Sequence, residues 1–233
     1  MLFKNFFKTS ILFAETFVCL AQIYNKNIDI VALKKKWAKS LLKQLNISYS
    51  VSNSCINNDR IILVGNHISF LDIIVLMAIH PQVVFLSKKE VASWPIIGTA
   101  AKKVGTLFVD RKSISSKAKV RRQIAEMFTQ NKKKQIHLAG FPSGTTSLTE
   151  NLPWKKGLFQ IAQESKAIVQ PFKIQYTPRR ECSYIDDDAL FTKLIQLFSV
   201  QNKKVHLIWG PARPINDLAH DITEIKNWVC EGL

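Results

Sequence analysis

The sequence predicts an α/β fold, in which one layered domain with a mostly parallel or mixed sheet is flanked by helices and preceded by a helical N-terminal extension. From residue 60 onward, short runs rich in β-branched residues alternate with helical stretches, and this alternation is typical of layered α/β domains. The 233 residues suit a single hydrophobic core. The 47% of apolar and 21% of charged residues exclude a disordered or collagen-like chain.

The first predicted element is an apolar helix over residues 9–24, which follows Lys4 and Lys8. The absence of a small-x-small cleavage site after it argues against a signal peptide. A bilayer span needs about 20 residues, whereas this stretch is shorter and contains Glu15. The pattern therefore favours a helix that lies in the membrane surface, with a true span as the alternative.

The second predicted helix covers residues 30–45 and is amphipathic. Its apolar positions are Ile30, Leu33, Trp37, Leu41, Leu42 and Leu45, and its other side carries Lys34, Lys35, Lys36, Lys39 and Lys43. The helix either packs on the core with solvated lysines or binds anionic lipid, where each basic residue contributes about 1 kcal/mol. We predict an N-terminal membrane-associated helical segment at residues 1–50 and an α/β domain at residues 51–233.

The α/β domain is predicted to contain six strands, six helices and no internal repeat. The strands are expected at residues 60–64, 83–87, 106–109, 135–139, 168–174 and 204–209. The helices are expected at residues 71–80, 95–103, 114–131, 157–166, 189–199 and 221–231.

The charge of the chain points to a polyanionic partner. Its 33 Lys and Arg residues exceed its 17 Asp and Glu residues by a net charge of +16, which favours an anionic membrane surface or nucleic acid. Because no recognisable nucleic-acid motif is present, we predict the membrane and no nucleic acid. The four cysteines and five histidines lack the close spacing of a disulfide framework or metal site. We therefore predict free thiols in a reducing compartment and no bound metal.

The candidate chemistry follows the first predicted strand of the domain, where His67 precedes Asp72 by five positions. Loops that leave the carboxyl ends of strands usually carry the sites of α/β proteins. On one continuous helix the two side chains would point about 140° apart, so they meet only if Gly65 and Asn66 form a turn and Asp72 lies in the next helix's first turn. A carboxylate beside an imidazole makes the histidine a general base. The spacing alone leaves open that the two residues are unrelated.

The segment NHISFLD at residues 66–72 is the first of several ordered motifs. The others are KKE at 88–90, WPIIG at 94–98, GTLFVDR at 105–111, FPSGTTS at 141–147, KG at 156–157 and VQP at 169–171. In order and spacing they resemble the N-H-x-x-x-x-D, G-x-x-F-I-D-R and F-P-E-G-T-R-S motifs, and the later elements, of the glycerolipid acyltransferase family. That family includes the 1-acylglycerol-3-phosphate acyltransferases. The resemblance covers roughly residues 60–175.

This resemblance implies direct acyl transfer, without an acyl-enzyme and without a cofactor, at the cytoplasmic face of a membrane to which the protein is bound peripherally or monotopically. His67 is expected to take the proton of the acceptor hydroxyl, which attacks the thioester of acyl-CoA or acyl-carrier protein, while Asp72 holds the imidazole. Backbone N–H groups of the third motif are expected to stabilise the oxyanion. Arg111 is expected to hold the phosphate of a lyso-lipid acceptor, with a salt bridge to Asp110 as the alternative. The expected substrate-binding residues are Asn66, Ser69, Arg111, Ser143, Gly144, Thr145, Thr146 and Lys156.

The third motif departs from the family at two positions. Ser143 stands where the family has glutamate, and a hydroxyl cannot supply a carboxylate's charge. Thr146 stands where the family has arginine, which removes one phosphate ligand. We therefore expect a zwitterionic or otherwise substituted lyso-lipid as acceptor. The alternative function is a catalytically impaired, acyltransferase-like protein that binds lipid or acyl-carrier protein.

Overall fold

The computed structural model describes residues 2–25, 27–130, 137–185 and 188–233. The strands are β1 (Ile47–Ser52), β2 (Ile61–Gly65), β3 (Val83–Lys88), β4 (Leu107–Val109), β5 (His137–Gly140), β6 (Ile168–Thr177) and β7 (Lys203–Trp209). The helices are α1 (Leu2–Gln22), α2 (Ile30–Gln44), α3 (Leu71–Ile79), α4 (Ile97–Lys103), α5 (Ile114–Gln130), α6 (Gly157–Ser165), α7 (Arg179–Cys182), α8 (Leu190–Leu197) and α9 (Leu218–Cys230). A 3-10 turn covers Lys89–Ser93. Residue 131 of one predicted helix and residues 135–136 of one predicted strand lie outside the described residues.

The strands form one seven-stranded sheet in the order β1-β7-β6-β2-β5-β3-β4. Every neighbouring pair is parallel except β6 and β7, which are antiparallel. The predicted α/β class, with a mostly parallel sheet flanked by helices, is confirmed. The prediction did not include β1, which pairs with β7 at one edge.

The two faces of the central strand β2 belong to two separate hydrophobic clusters, as expected for a sheet covered on both faces. Ile61 and Leu63 pack with buried residues of α2 and α3. Ile62 and Val64 pack on the opposite face with buried residues of α5, α6 and α9. All four side chains are 0% exposed, so alternate residues of this strand hold both helical layers to the sheet.

The N-terminal helices are continuous with this fold. The predicted boundary between residues 50 and 51 lies inside β1, and the apolar face of α2 joins the core through residues such as Leu41 and Leu42. Lys34, predicted on the solvated side of α2, is only 5% exposed, and its ammonium donates a hydrogen bond of 2.7 Å to the Val83 carbonyl. Among the helices in the described ranges, none is long and apolar enough to cross a bilayer.

Three adjacent parallel strands bring the candidate site together. Because β2 lies between β5 and β6, the loops and strand ends at their carboxyl ends meet at one edge of the sheet. Gly65, the last residue of β2, allows β6 to pack closely: a Cβ there would lie 2.4 Å from a ring carbon of Phe172. The same edge receives the segment that follows β5 at Phe141.

Candidate active site

His67 and Asp72 meet as the sequence predicts. His67 lies in the loop between β2 and α3, and Asp72 lies in the first turn of α3. The imidazole Nδ1 is 2.8 Å from Asp72 Oδ2. Because a carboxylate oxygen accepts this bond, the neutral ring carries its proton on Nδ1 and leaves Nε2 unprotonated. The His67 side chain is 17% exposed, whereas that of Asp72 is 0% exposed.

Asp72 is surrounded by hydrogen-bond donors. Its Oδ2 also accepts the backbone N–H groups of Ile68 at 2.8 Å and Ser69 at 3.0 Å, and its Oδ1 accepts the Tyr176 hydroxyl at 2.7 Å. Four donors, counting His67, match the acceptor-only character of an ionised carboxylate. Burial, followed by the charge of Asp72, raises the pKa of Tyr176 well above its ordinary value, which keeps the hydroxyl protonated as a donor.

The imidazole is also fixed by contacts on its other sides. The His67 ring stacks on that of Phe141, with centroids 3.8 Å apart and planes 9° apart. The backbone carbonyl of His67 accepts the Ser147 N–H at 2.8 Å, which holds the third-motif loop against the histidine. The segment that follows β5 therefore supplies both the ring that stacks on the imidazole and the N–H that holds the His67 backbone.

Glu150 is a site residue that the sequence analysis missed. It is 1% exposed, and its Oε2 accepts the backbone N–H of His67 at 3.2 Å. Its Oε1 accepts the Trp154 indole N–H at 2.9 Å. Ser143 is not a carboxylate, but the Glu150 carboxylate, seven residues later, contacts the loop that carries His67. No spacing rule in the sequence identified it.

The third-motif loop turns at Gly144. That residue has φ +79°, a left-handed conformation that favours glycine, and its N–H donates to the Phe141 carbonyl at 3.0 Å. Ser143 is 4% exposed, and its hydroxyl donates to the Thr145 carbonyl at 3.2 Å. Thr145 is exposed and Thr146 is half-buried. Ser143 thus stabilises the loop internally, while the two threonines lie nearer the solvent.

Two cations approach the same glycine. Arg111 donates a hydrogen bond of 3.1 Å to the Gly144 carbonyl. A Cβ on Gly144 would lie 2.5 Å from Lys155 Nζ and 2.6 Å from an Arg111 guanidinium nitrogen. Burial, followed by the charge of Arg111, lowers the pKa of Lys155. Asp110, the alternative partner of Arg111, instead pairs with Lys89 at 3.6 Å.

Three predicted substrate-binding residues lie elsewhere. Asn66 is 0% exposed and exchanges two 2.8 Å hydrogen bonds with the backbone of Ile174, so it ties β2 to β6. Ser69 is also 0% exposed, and its N–H supports Asp72. Exposed Lys156 precedes α6, whereas its neighbour Lys155 reaches the arginine. Asn66 and Ser69 therefore have structural contacts, and of the two neighbouring lysines it is Lys155 whose ammonium lies near Arg111 and Gly144. Substrate contact by Asn66, Ser69 and Lys156 stays a prediction.

The chain is similar in sequence to known proteins. A family model described as Acyltransferase matches residues 46–175. A lyso-ornithine lipid O-acyltransferase from Pseudomonas aeruginosa is 33% identical over 188 residues, which cover 77% of this chain and 70% of that protein. A 1-acyl-sn-glycerol-3-phosphate acyltransferase from Neisseria gonorrhoeae is 30% identical over 154 residues, 65% of this chain and 57% of that protein.

The fold resembles a solved structure over almost its whole length. The crystal structure of a 1-acyl-sn-glycerophosphate acyltransferase from Thermotoga maritima superposes with a TM-score of 0.72 and covers 99% of this chain and 92% of that one. The two sequences are 17% identical, so this likeness concerns the fold alone.

Proposed function

Because this chain belongs to the acyltransferase family, we propose that it moves a fatty acyl group from acyl-CoA or acyl-carrier protein to the hydroxyl of a lyso-lipid at a membrane surface. The observation that carries the proposal is the His67–Asp72 pair, with Nδ1 held by the buried carboxylate and Nε2 left as a base. A catalytically impaired relative would not need a buried aspartate that is held by four hydrogen-bond donors and orients an imidazole.

The reaction needs only a positioned base and an anion-stabilising loop, and no cofactor. Nε2 of His67 takes the proton of the acceptor hydroxyl as the oxygen attacks the thioester carbonyl. Asp72 stabilises the resulting imidazolium. When the tetrahedral intermediate collapses, the carbon–sulfur bond breaks, the thiolate leaves, and the imidazolium returns the proton to it. Acyl ester and free thiol are the products.

The third-motif loop is the proposed oxyanion hole. The N–H groups of Gly144, Ser147 and Lys155 already donate to backbone carbonyls. Among the described hydrogen bonds, the N–H groups of Ser143, Thr145 and Thr146 have no acceptor, and we assign a developing oxyanion to this part of the loop. Their loop is held against the catalytic histidine through Ser147.

The proposed acceptor is a zwitterionic lyso-lipid of the ornithine type, as named for the Pseudomonas relative. An ornithine headgroup presents one planar carboxylate, which matches a guanidinium fork such as that of Arg111. Lys155 adds a second, less directional charge beside it. The missing third-motif arginine at Thr146 weakens the site most for a phosphomonoester, because each charge-assisted hydrogen bond contributes about 1.5–3 kcal/mol.

The proposed location is the cytoplasmic face of a membrane, with α1 as the contact. The aromatic side chains of Phe3, Phe7 and Phe17 on this helix are 86%, 61% and 62% exposed. The opposite side of α1 is anchored to the protein, for example by Asn5, whose amide donates to the Ser199 hydroxyl at 2.6 Å. An exposed aromatic face on an anchored helix fits partial insertion into the lipid surface.

The decisive experiment compares acceptors with purified protein. Acyl transfer is measured from acyl-CoA and from acyl-carrier protein to lyso-ornithine lipid and to 1-acylglycerol-3-phosphate, alongside His67→Ala. We expect kcat/KM to favour the ornithine lipid by about tenfold or more, and His67→Ala to lose transfer while keeping the circular dichroism of the wild type.

Each possible result tests a different part of the proposal. A wide preference for the phosphomonoester would overturn the acceptor assignment and leave the reaction intact. Near-normal turnover by His67→Ala would overturn the mechanism. A wild type that binds acyl-CoA but transfers to neither acceptor would favour the impaired, lipid-binding alternative.

A further inference from the structure

Three metal-ligating side chains meet at the edge of the sheet opposite the candidate active site. Cys55 lies in the loop between β1 and β2, His80 follows α3, and His137 begins β5. One potential ligand atom from each lies within 4.8 Å of the others. His67, by contrast, follows the carboxyl end of β2, which runs parallel to β5. The positions are 25 and 57 residues apart in sequence, which is why spacing alone predicted no metal site.

The hydrogen bonds of the cluster determine which ring nitrogens are available. His137 Nε2 is 3.0 Å from the carbonyl of Asn58, which can only accept, so this nitrogen carries the proton of the neutral ring. His137 Nδ1 is then unprotonated and accepts the Nε2–H of His80 at 2.6 Å. A backbone carbonyl on the far nitrogen is the usual outer partner of a metal-bound histidine. The lone pair of His137 Nδ1 therefore already faces the cluster.

We propose that Cys55, His80 and His137 form a zinc site. With Zn–N of about 2.0–2.1 Å and Zn–S of about 2.3 Å, ligand atoms of a tetrahedral site lie about 3.3–3.6 Å apart. To reach this geometry, the two histidine nitrogens must separate from 2.6 Å and the ligand atoms, now within 4.8 Å of one another, must approach to that spacing. The fourth position is left to water.

The donor set selects the class of metal. One thiol and two imidazoles suit zinc, whereas magnesium and calcium require oxygen ligands. Binding releases the thiol proton of Cys55 to solvent, and His80 moves its ring proton from Nε2 to Nδ1. Around the cluster, the charge of Asp59 favours a cation and the ammonium of Lys34 on α2 opposes it.

The expected role of the metal is structural. It would join the loop before β2, the end of α3 and the start of β5 into one unit. Helix α3 carries Asp72 at its other end. The bound zinc would therefore also fix the position of the helix that orients His67. The zinc ligands lie at the opposite edge of the sheet from His67. The test of the zinc site is therefore independent of the test of acyl transfer.

Zinc binding by the full, tag-free chain tests the site. Chelator-treated protein is titrated with zinc chloride against a chromophoric competitor, and thermal unfolding is followed with and without zinc. We expect one zinc per chain, a higher Tm with zinc, and at least a tenfold loss of affinity in Cys55→Ser and in His80→Asn. The matched controls are Cys230→Ser and His206→Asn, which alter a thiol and an imidazole outside the cluster and should bind zinc like the wild type.

Two results would overturn the zinc site. The first is a wild type whose zinc affinity and stoichiometry equal those of Cys55→Ser, which would leave the histidines as a hydrogen-bonded pair only. The second result comes from the wild type alone, so it applies even if the variants misfold. Cobalt added to the wild type should then produce a thiolate-to-cobalt charge-transfer absorption in the near ultraviolet, and its absence would exclude Cys55 as a ligand.

Discussion

The contacts that orient His67 and Asp72 come from distant parts of the chain. The spacing of His67 and Asp72 is local and was readable from the sequence once a turn between them was assumed. Tyr176 reaches Asp72 from 104 residues away, and Glu150 reaches His67 from 83 residues away. Neither contact leaves a local pattern, because parallel strands place neighbours at positions that crossover helices separate in sequence. The dyad was therefore predictable, whereas the residues that hold it were not.

The two neighbouring lysines at residues 155 and 156 offer a matched test of the anion site. Both lysines are exposed, but only Lys155 approaches Arg111 and Gly144, whereas Lys156 lies at the start of α6. Lys155→Met removes one positive charge from the proposed headgroup site, so we expect KM for the lyso-lipid to rise about tenfold with little change in KM for acyl-CoA.

Lys156→Met is the control and should leave both Michaelis constants close to those of the wild type. Steady-state kinetics with each substrate varied in turn distinguishes the two lysines. If Lys156→Met raised the acceptor KM and Lys155→Met did not, the original sequence-based assignment would be restored.

At the scale of elements, a strand buried on both faces was predicted and the half-polar edge strand was missed. β2 is buried at all five positions, and its run of aliphatic residues marks it as a strand. In β1, Ile47, Tyr49 and Val51 alternate with three serines, which is the period-two pattern of a strand, and the sequence analysis overlooked it. Only Ile47 is buried, so this strand contributes little to the core. Its six residues pair with β7 along their whole length, which only the tertiary structure reveals.

Lys34 is the lysine of α2 that was predicted to be solvated and is instead buried, and its burial has a measurable consequence. Its side chain turns from the lysine-rich face of α2 toward β3, and burial lowers its pKa from 10.5 to about 8. Between these values the unfolded chain binds more protons than the folded chain, so stability rises with pH. Relative to Lys34→Met, we expect the free energy of unfolding of the wild type to increase by about 3 kcal/mol across this range.

Denaturant unfolding at several pH values checks this expectation. Lys35→Met, which removes an exposed lysine from the same helix, should show the pH dependence of the wild type. Parallel stability curves for the wild type and Lys34→Met from pH 8 to 10.5 would mean that Lys34 keeps its ordinary pKa in the folded protein.

At the scale of the whole molecule, charge and apolar surface point to the same partner. The net charge of +16 is sequence information, but only the structure shows that α1 keeps an aromatic face uncovered while its other side is anchored to α8 and α2. The ring of Phe6 meets that of Phe191 on α8 at 6.0 Å, and the Trp37 indole of α2 donates to the Thr16 hydroxyl at 3.2 Å. A helix anchored in this way presents its exposed face in a fixed orientation.

Replacing the exposed face of α1 should weaken membrane binding more than raising the salt concentration does. Full burial of a phenylalanine contributes about 1.5–3 kcal/mol, and partial burial at the lipid surface about 1 kcal/mol or more, so a Phe3→Ser, Phe7→Ser and Phe17→Ser triple variant should partition about a hundredfold less onto anionic vesicles. Ile114→Ser, at another exposed apolar position, is the control. Vesicle sedimentation at low and high salt separates the two contributions, since salt screens only the charges. Equal partitioning of the triple variant and the wild type at high salt would show that α1 does not enter the lipid.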